Sequence, residues 1–222
     1  MAAESSTEKK TRARRILRQL ARAYPDAAIA LRFDTPLELL VATILSAQCT
    51  DDRVNAVTRT LFERYHEARD YAGAEPATLE RLIHSTGFFK AKARALIGVG
   101  RALVERHEGA VPQSVEELVA LPGVGRKTAN VVLGNAFGVP ALAVDTHVFR
   151  VSQRLGLARA DDPDTIHEQL CEVIARRQWT HATHLLISHG RRTCGARAPA
   201  CPGCSVKDLC PWTGKTRTLS TK

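Results

Sequence analysis

The sequence predicts an all-α protein. Three observations carry this. Helix-start signals recur: Thr35-Pro36 with Glu38, and Ser114 with Glu117, form capping boxes, in which a hydroxyl takes an orphan backbone N–H and a Glu reaches back to the cap. Strand-like alternation is almost absent between them. The connecting stretches are short and rich in Gly, Pro, Asp and Ser.

The elements follow in order. "DTPLELLVATILSAQ" has Thr35 at the N-cap and Pro36 at the first helical position, and its nearly unbroken apolar run implies deep burial. Thr50 or Asp51 caps the next helix, which runs to about Arg64. A short helix follows Pro76. "KAKARALIGVGRALVERH" is amphipathic and basic on one side, and Ser114 starts "LVAL". "TANVVLGNAF" is stopped by Gly138 and Pro140. Thr146 caps "HVFRVSQRL", Asp162 or Asp164 starts "TIHEQLCEVIARR", and "HATHLLISHGRR" ends just before Cys194. About ten helices result. Residues 1–10 and the end after Trp212 are expected to be disordered.

The chain has 222 residues, enough for one large domain or two small ones. Apolar runs such as "VVLGNAFGVPALAV" are too short or too broken to span a bilayer. The N-terminus is charged and lacks an apolar segment, so no secretory signal and a cytoplasmic protein are expected. Charge is uneven. Residues 1–22 and 191–222 together hold fourteen Lys/Arg against three acids, while the rest holds eighteen against twenty. The net +9 therefore sits wholly at the ends. Either the fold joins them into one nucleic-acid-binding face, or they are two solvated tails.

The six cysteines are of two kinds. Cys49 and Cys171 lie in apolar, helix-like surroundings and are expected to be buried small hydrophobes. Cys194, Cys201, Cys204 and Cys210 crowd into 17 residues, spaced C-x6-C-x2-C-x5-C. Without a secretory signal this pattern reads as a metal site. Four thiolates suit a [4Fe–4S] cluster or a structural zinc. Zinc sites usually pair two short knuckles, and only the central pair here is that close.

"LPGVGRKTANVVL" reads as a helix-hairpin-helix. Gly123 and Gly125 flank Val124, permit positive φ and clear side chains from the turn. Backbone N–H groups of Gly123, Val124, Gly125, Arg126 and Thr128 can then meet a phosphate at the positive end of the new helix, gripping nucleic acid without reading sequence. A plain helical corner is the alternative. Lys127 sits in the first helical turn, where the dipole, helped by partial burial, favours a neutral, nucleophilic amine. Equally, it can be one more phosphate-binding cation. In "AVDTHVFR", Asp145 is either a helix cap or a carboxylate held at the mouth of a cleft. His147, His184 and His189 lack metal-like spacing and read as structural.

"LPGVGRKTANVVL", "AVDTHVFRV", "ILSAQCTD" and the four-cysteine spacing together resemble the endonuclease III family, bifunctional DNA glycosylase/AP lyases of the helix-hairpin-helix base-excision repair superfamily. The resemblance runs from about residue 12 to 212. It implies two helical domains flanking a DNA-binding cleft. One is 27–139 with the hairpin; the other is built from 1–26 and 140–222 and holds a [4Fe–4S] cluster. It implies a monomer, nucleoid-associated if bacterial, acting on double-stranded DNA with damaged bases or abasic sites.

In such an enzyme Lys127 attacks C1′ of the flipped nucleotide, and Asp145 stabilises the developing charge or accepts the lysine's proton. β-Elimination then nicks the strand 3′ to the lesion. Gln48 fills the gap left by the flipped base. Asp51 caps a helix or lies near the base pocket. Phe88 stands where the family usually has an aliphatic wedge; it and Phe89 are either an aromatic wedge or core residues, and Lys90 and Lys92 would lie near phosphates. The lesion expected is an oxidised pyrimidine of the thymine glycol type. The alternatives are a glycosylase acting on a purine lesion and a non-catalytic DNA-binding module with a structural zinc.

Overall fold

The structure is a computed structural model that describes residues 4–216. Expected disorder at 1–3 and 217–222 lies outside the described residues. Every regular element among the described residues is helical, with eleven α-helices and four short 3-10 turns. None of these helices is long and apolar enough to cross a membrane. The chain divides into two compact units: Ile29–Val139, and the residues up to Ala28 together with those from Pro140 onward.

In Ile29–Val139 the central helix is α2 (Pro36–Leu45), preceded by the N-terminal helix α1 (Ser6–Ala23) of the other unit. Eight of the ten α2 residues are buried, as its apolar run requires. The expected capping box starts it: Glu38 N–H donates to Thr35 Oγ1 (3.2 Å), and Thr35 N–H donates back to Glu38 Oε2 (3.4 Å). Around α2 pack α3 (Asp51–Phe62), α6 (Phe89–His107) and α8 (Arg126–Ala136). Thr50, not Asp51, caps α3; its hydroxyl accepts from Arg53 N–H. The unit is completed by α4 (Ala68–Ala72), α5 (Pro76–Ile83) and α7 (Val115–Val119). Contact between α4 and α6 needs a glycine: a Cβ on Gly100 would lie 2.5 Å from Ala72 N.

The other unit packs α1 with α9 (Thr146–Arg154), α10 (Pro163–Val173) and α11 (Trp179–Arg192). Ala13, Ile16, Leu17 and Leu20 recur at helical spacing on α1 and face Val148, Val151, Leu170 and Leu185. Disorder through residue 10 is corrected: Ser5 and Glu8 form a capping box, so α1 begins at Ser6. Arg12 fixes that helix by donating to three carbonyls, those of Leu155 (2.6 Å), Gly156 (3.1 Å) and Leu209 (3.2 Å). Both basic ends of the sequence thus belong to one unit.

The two isolated cysteines are half-buried rather than buried. Cys171 Sγ stands 3.6 Å from His167 Nε2, and burial pushes its thiol up to about 11.

Candidate active site and cluster ligands

The hairpin begins with a β-turn. Val124 N–H donates to Leu121 C=O (3.2 Å), with Pro122 and Gly123 (φ +74°) at the corners, the Pro-Gly signature of type II. It is seated on α6: a Cβ on Gly123 would stand 3.0 Å from Ala95 Cβ, and one on Gly98 would stand 3.1 Å from the Pro122 ring. Val124 is buried and anchors the turn, so only its backbone can serve a partner.

Gly125 departs from expectation. Its φ is −98°, so positive φ is not what calls for a glycine there. What it supplies is a missing side chain. As N-cap of α8 it offers the first turn no side-chain acceptor, and the first helical bond is Ala129 N–H to Gly125 C=O (3.0 Å). A Cβ at Gly125 would meet nothing within 4 Å. Arg126 and Lys127 are exposed and Thr128 half-buried. The partial burial expected of Lys127 is therefore corrected; the lysine stands in solvent at the second helical position.

Asp145 belongs to the other unit. It, and not Thr146, caps α9: Oδ1 accepts from His147 N–H (2.8 Å) and Val148 N–H (2.7 Å). Neither bond uses Oδ2, so capping fixes the carboxylate and leaves that oxygen out of the cap. The approach to Asp145 is pinned to α11, with Ala143 N–H donating to Thr183 Oγ1 (3.2 Å). One turn on, Arg150 donates to the carbonyls of Gly190 (3.0 Å) and Cys194 (3.1 Å), tying the Asp145 helix to the first of the clustered cysteines. Arg150 Nη2 also lies 3.2 Å from His147 Nδ1. Burial holds the His147 imidazole below its ordinary range against the opposing pull of Asp145.

Two exposed tips share an uncommon backbone. Gln48 has φ +52°, in a turn closed by Cys49 N–H to Ser46 C=O (3.1 Å). Gly87 (φ +71°) precedes Phe88 (φ +49°). Phe88 is 65% exposed, so it is not a core residue. Phe89 is half-buried with its ring 4.4 Å from that of His84. Among the described residues only one other non-glycine has positive φ, Glu108, which ends α6. Left-handed backbone costs such residues roughly 1–2 kcal/mol, and strain of this kind gathers at functional positions.

Lys90 is exposed, but Lys92 is not near solvent phosphates. It is 5% exposed, and Nζ donates to the carbonyls of Leu45 and Thr86, both at 2.8 Å. The sequence held a signal for this: Lys92 shares a helical stripe with Leu96, Val99 and Leu103, all buried.

The four clustered cysteines line one cavity together with Arg154, His189 and Trp212. Cys194 closes α11, its N–H donating to His189 C=O (2.7 Å). Tight turns carry the rest, with Cys204 N–H to Cys201 C=O (3.2 Å) and Cys210 N–H to Lys207 C=O (3.4 Å). Arg154 donates to Cys194 Sγ (3.4 Å) and Gly195 C=O (2.7 Å), with its guanidinium 4.2 Å over the Trp212 ring. His189 is buried, which pushes it down to about 4; Nδ1 bonds the Tyr24 hydroxyl (2.9 Å), and Nε2 lies 3.8 Å from Cys204 Sγ. Burial pushes the Cys204 and Cys210 thiols up. Four thiols lining one cavity are a donor set that could hold a metal ion or an iron–sulfur cluster.

Comparison with known proteins agrees with this geometry. The profile of HhH-GPD superfamily base excision DNA repair proteins matches residues 41–176. Endonuclease III of Synechocystis sp. is 52% identical over 204 residues, covering 91% of this chain and 93% of that protein. Endonuclease III of Bacillus subtilis is 45% identical over 188 residues, covering 84% and 86%. A trapped endonuclease III–DNA covalent intermediate, in an estranged-adenine complex, superposes with a TM-score of 0.87 at 45% identity, over 91% of this chain and 95% of that one. The chain belongs to the endonuclease III family of the HhH-GPD superfamily of base excision DNA repair proteins.

Proposed function

We propose that this DNA glycosylase/AP lyase removes oxidised pyrimidines from duplex DNA and nicks the strand through a Schiff base on Lys127. The observation that carries this is an exposed lysine on the first turn of a helix whose glycine cap supplies no side-chain acceptor. The hairpin amides take the DNA phosphate, and the grip sets the Lys127 amine at the neighbouring sugar. A structural relative caught as a covalent protein–DNA intermediate supports the same chemistry.

The damaged nucleotide leaves the stack, because its glycosidic bond is out of reach inside the duplex. Gln48 and Phe88 fill the vacated space. The Lys127 Nζ lone pair attacks C1′, the C1′–N bond to the base breaks, and the base leaves with the bonding pair and takes the proton that the newly bonded Lys127 nitrogen gives up. Asp145 Oδ2 stabilises positive charge at the sugar, while Oδ1 keeps its capping bonds. The nitrogen lone pair then expels O4′, which leaves C1′ with the bonding pair and takes up a proton, and the ring-opened iminium acidifies the C2′ proton. Its loss expels the 3′ phosphate from C3′ by β-elimination, which places the nick 3′ to the lesion. Cys194, Cys201, Cys204 and Cys210 would hold a [4Fe–4S] cluster, which supplies a covalent cross-link for a segment with little apolar core. The enzyme acts as a monomer in the cytoplasm, on the nucleoid in a bacterial cell.

The test is a duplex carrying thymine glycol. Wild type releases the base and nicks 3′ to it. Lys127→Ala binds the duplex and does neither. Asp145→Asn keeps the cap, because Asn caps as well as Asp, and slows turnover on the order of a hundredfold by removing the charge. Nicking by Lys127→Ala at the wild-type rate would refute the assignment. Preference for a duplex carrying 8-oxoguanine would favour the purine-lesion alternative.

A further inference from the structure

Among the described residues, Lys92 is the only lysine, arginine or carboxylate that is buried. Among the described residues no acid pairs with it. Burial lowers its proton affinity, and only the Cys49 thiol, when ionised, acts the other way. A desolvated ammonium without an anion is costly, so its two hydrogen bonds must do something that an apolar side chain could not.

Both acceptors are backbone carbonyls at the roots of the two exposed tips. Leu45 is the last residue of α2, three before Gln48. Its carbonyl stands at the negative end of the helix dipole, where a cation is favoured. Thr86 lies two residues before Phe88. Lys92 sits in the first turns of α6, and its own N–H donates to Phe88 C=O (3.0 Å). Helical side chains lean toward the N-terminus, which directs the ammonium back at the loop that opens the helix. One tetrahedral nitrogen joins both roots, so the two carbonyl oxygens can be no further apart than twice 2.8 Å. Beyond those roots both tips enter left-handed backbone, at Gln48 and Phe88.

We propose that Lys92 is a positioning residue that sets the Gln48 and Phe88 tips at a fixed spacing, so that both enter the DNA stack together. The proposal rests on the insertion role given to those two residues. A neutral apolar residue at 92 would orphan two carbonyls, each of which would draw in water and let its loop settle independently of the other.

A double-mutant cycle tests this. The probe is a duplex with a tetrahydrofuran abasic site opposite 2-aminopurine, which reports unstacking without any need for catalysis. Lys92→Met is expected to reduce the fluorescence change at saturating protein at least fivefold, with affinity for undamaged duplex held within twofold. In a Gln48→Ala/Phe88→Ala background, Lys92→Met should have no further effect. Lys92→Gln, which keeps two N–H donors, should retain more of the signal than Lys92→Met, and it carries the same cycle if the Met variant does not fold. An equal loss from Lys92→Met in both backgrounds, or an unchanged signal in the wild-type background, overturns the proposal. A full signal from Gln48→Ala/Phe88→Ala alone overturns the insertion role itself, and the proposal with it.

Discussion

Gly125→Ser should make the protein more stable and a poorer DNA binder. The N-cap backbone of α8 (φ −98°, ψ 174°) is the extended conformation that serine adopts freely, and a Cβ there meets nothing within 4 Å. A serine hydroxyl would accept from an amide of the first turn, which the glycine cap leaves without a side-chain acceptor. Serine exceeds glycine at this position by a few tenths of a kcal/mol, and a stiffer unfolded chain adds about 0.4–1 kcal/mol. A gain of about 1 kcal/mol raises Tm by roughly 2–4 °C in a chain of this size. The same hydroxyl competes with the DNA phosphate. A hydrogen bond to a charged acceptor is worth about 1.5–3 kcal/mol, so losing one weakens binding roughly tenfold to a hundredfold. The assay pairs thermal melts with fluorescence anisotropy on a duplex bearing a tetrahydrofuran site. A raised Tm with unchanged Kd would refute the assignment of these amides to phosphate binding.

Other consequences can be checked alongside. The purified protein should be brown with four irons per chain, and Cys201→Ser should lose both; one zinc per chain and no iron would contradict the cluster. Stability should fall as pH drops through about 6.5, because burial holds His184 and His147 below their ordinary range in the folded state while the unfolded chain takes up those protons. Melts between pH 7.5 and 5.5 check the sign, and His184→Gln should lessen the fall. Replacing the exposed Arg14, Arg15 and Arg18 of α1 by Gln should lower the log–log salt slope of DNA binding by roughly 0.9 for each phosphate no longer neutralised, and an unchanged slope would mark them as a solvated face.

What the sequence disclosed depended on the range of the signal. The Thr35/Glu38 box and the cysteine spacing are local, and both were legible. Ser5/Glu8 carries the same four-residue signature, yet the charged run around it reads as a disordered tail; the stripe Ala13, Ile16, Leu17, Leu20 is what holds α1 down. Thr146 and Asp145 are both competent caps, and only the extended backbone at 145 decides between them. Lys92 beside Lys90 suggests a pair of phosphate contacts, whereas its stripe partners Leu96, Val99 and Leu103 send it inward. Contacts such as Tyr24 with His189, 165 residues apart, leave no mark in any short window. The backbone of Gln48 and Phe88 is similarly silent, because neither residue type announces positive φ.

The most direct test of the central claim is borohydride trapping on a duplex with an abasic site. Reduction should fix a covalent protein–DNA adduct, and peptide mapping by mass spectrometry should place it on Lys127. Lys127→Ala should give no adduct at equal protein folding and DNA binding. An adduct mapped to another lysine, or none from the wild-type protein, would contradict the Schiff-base assignment.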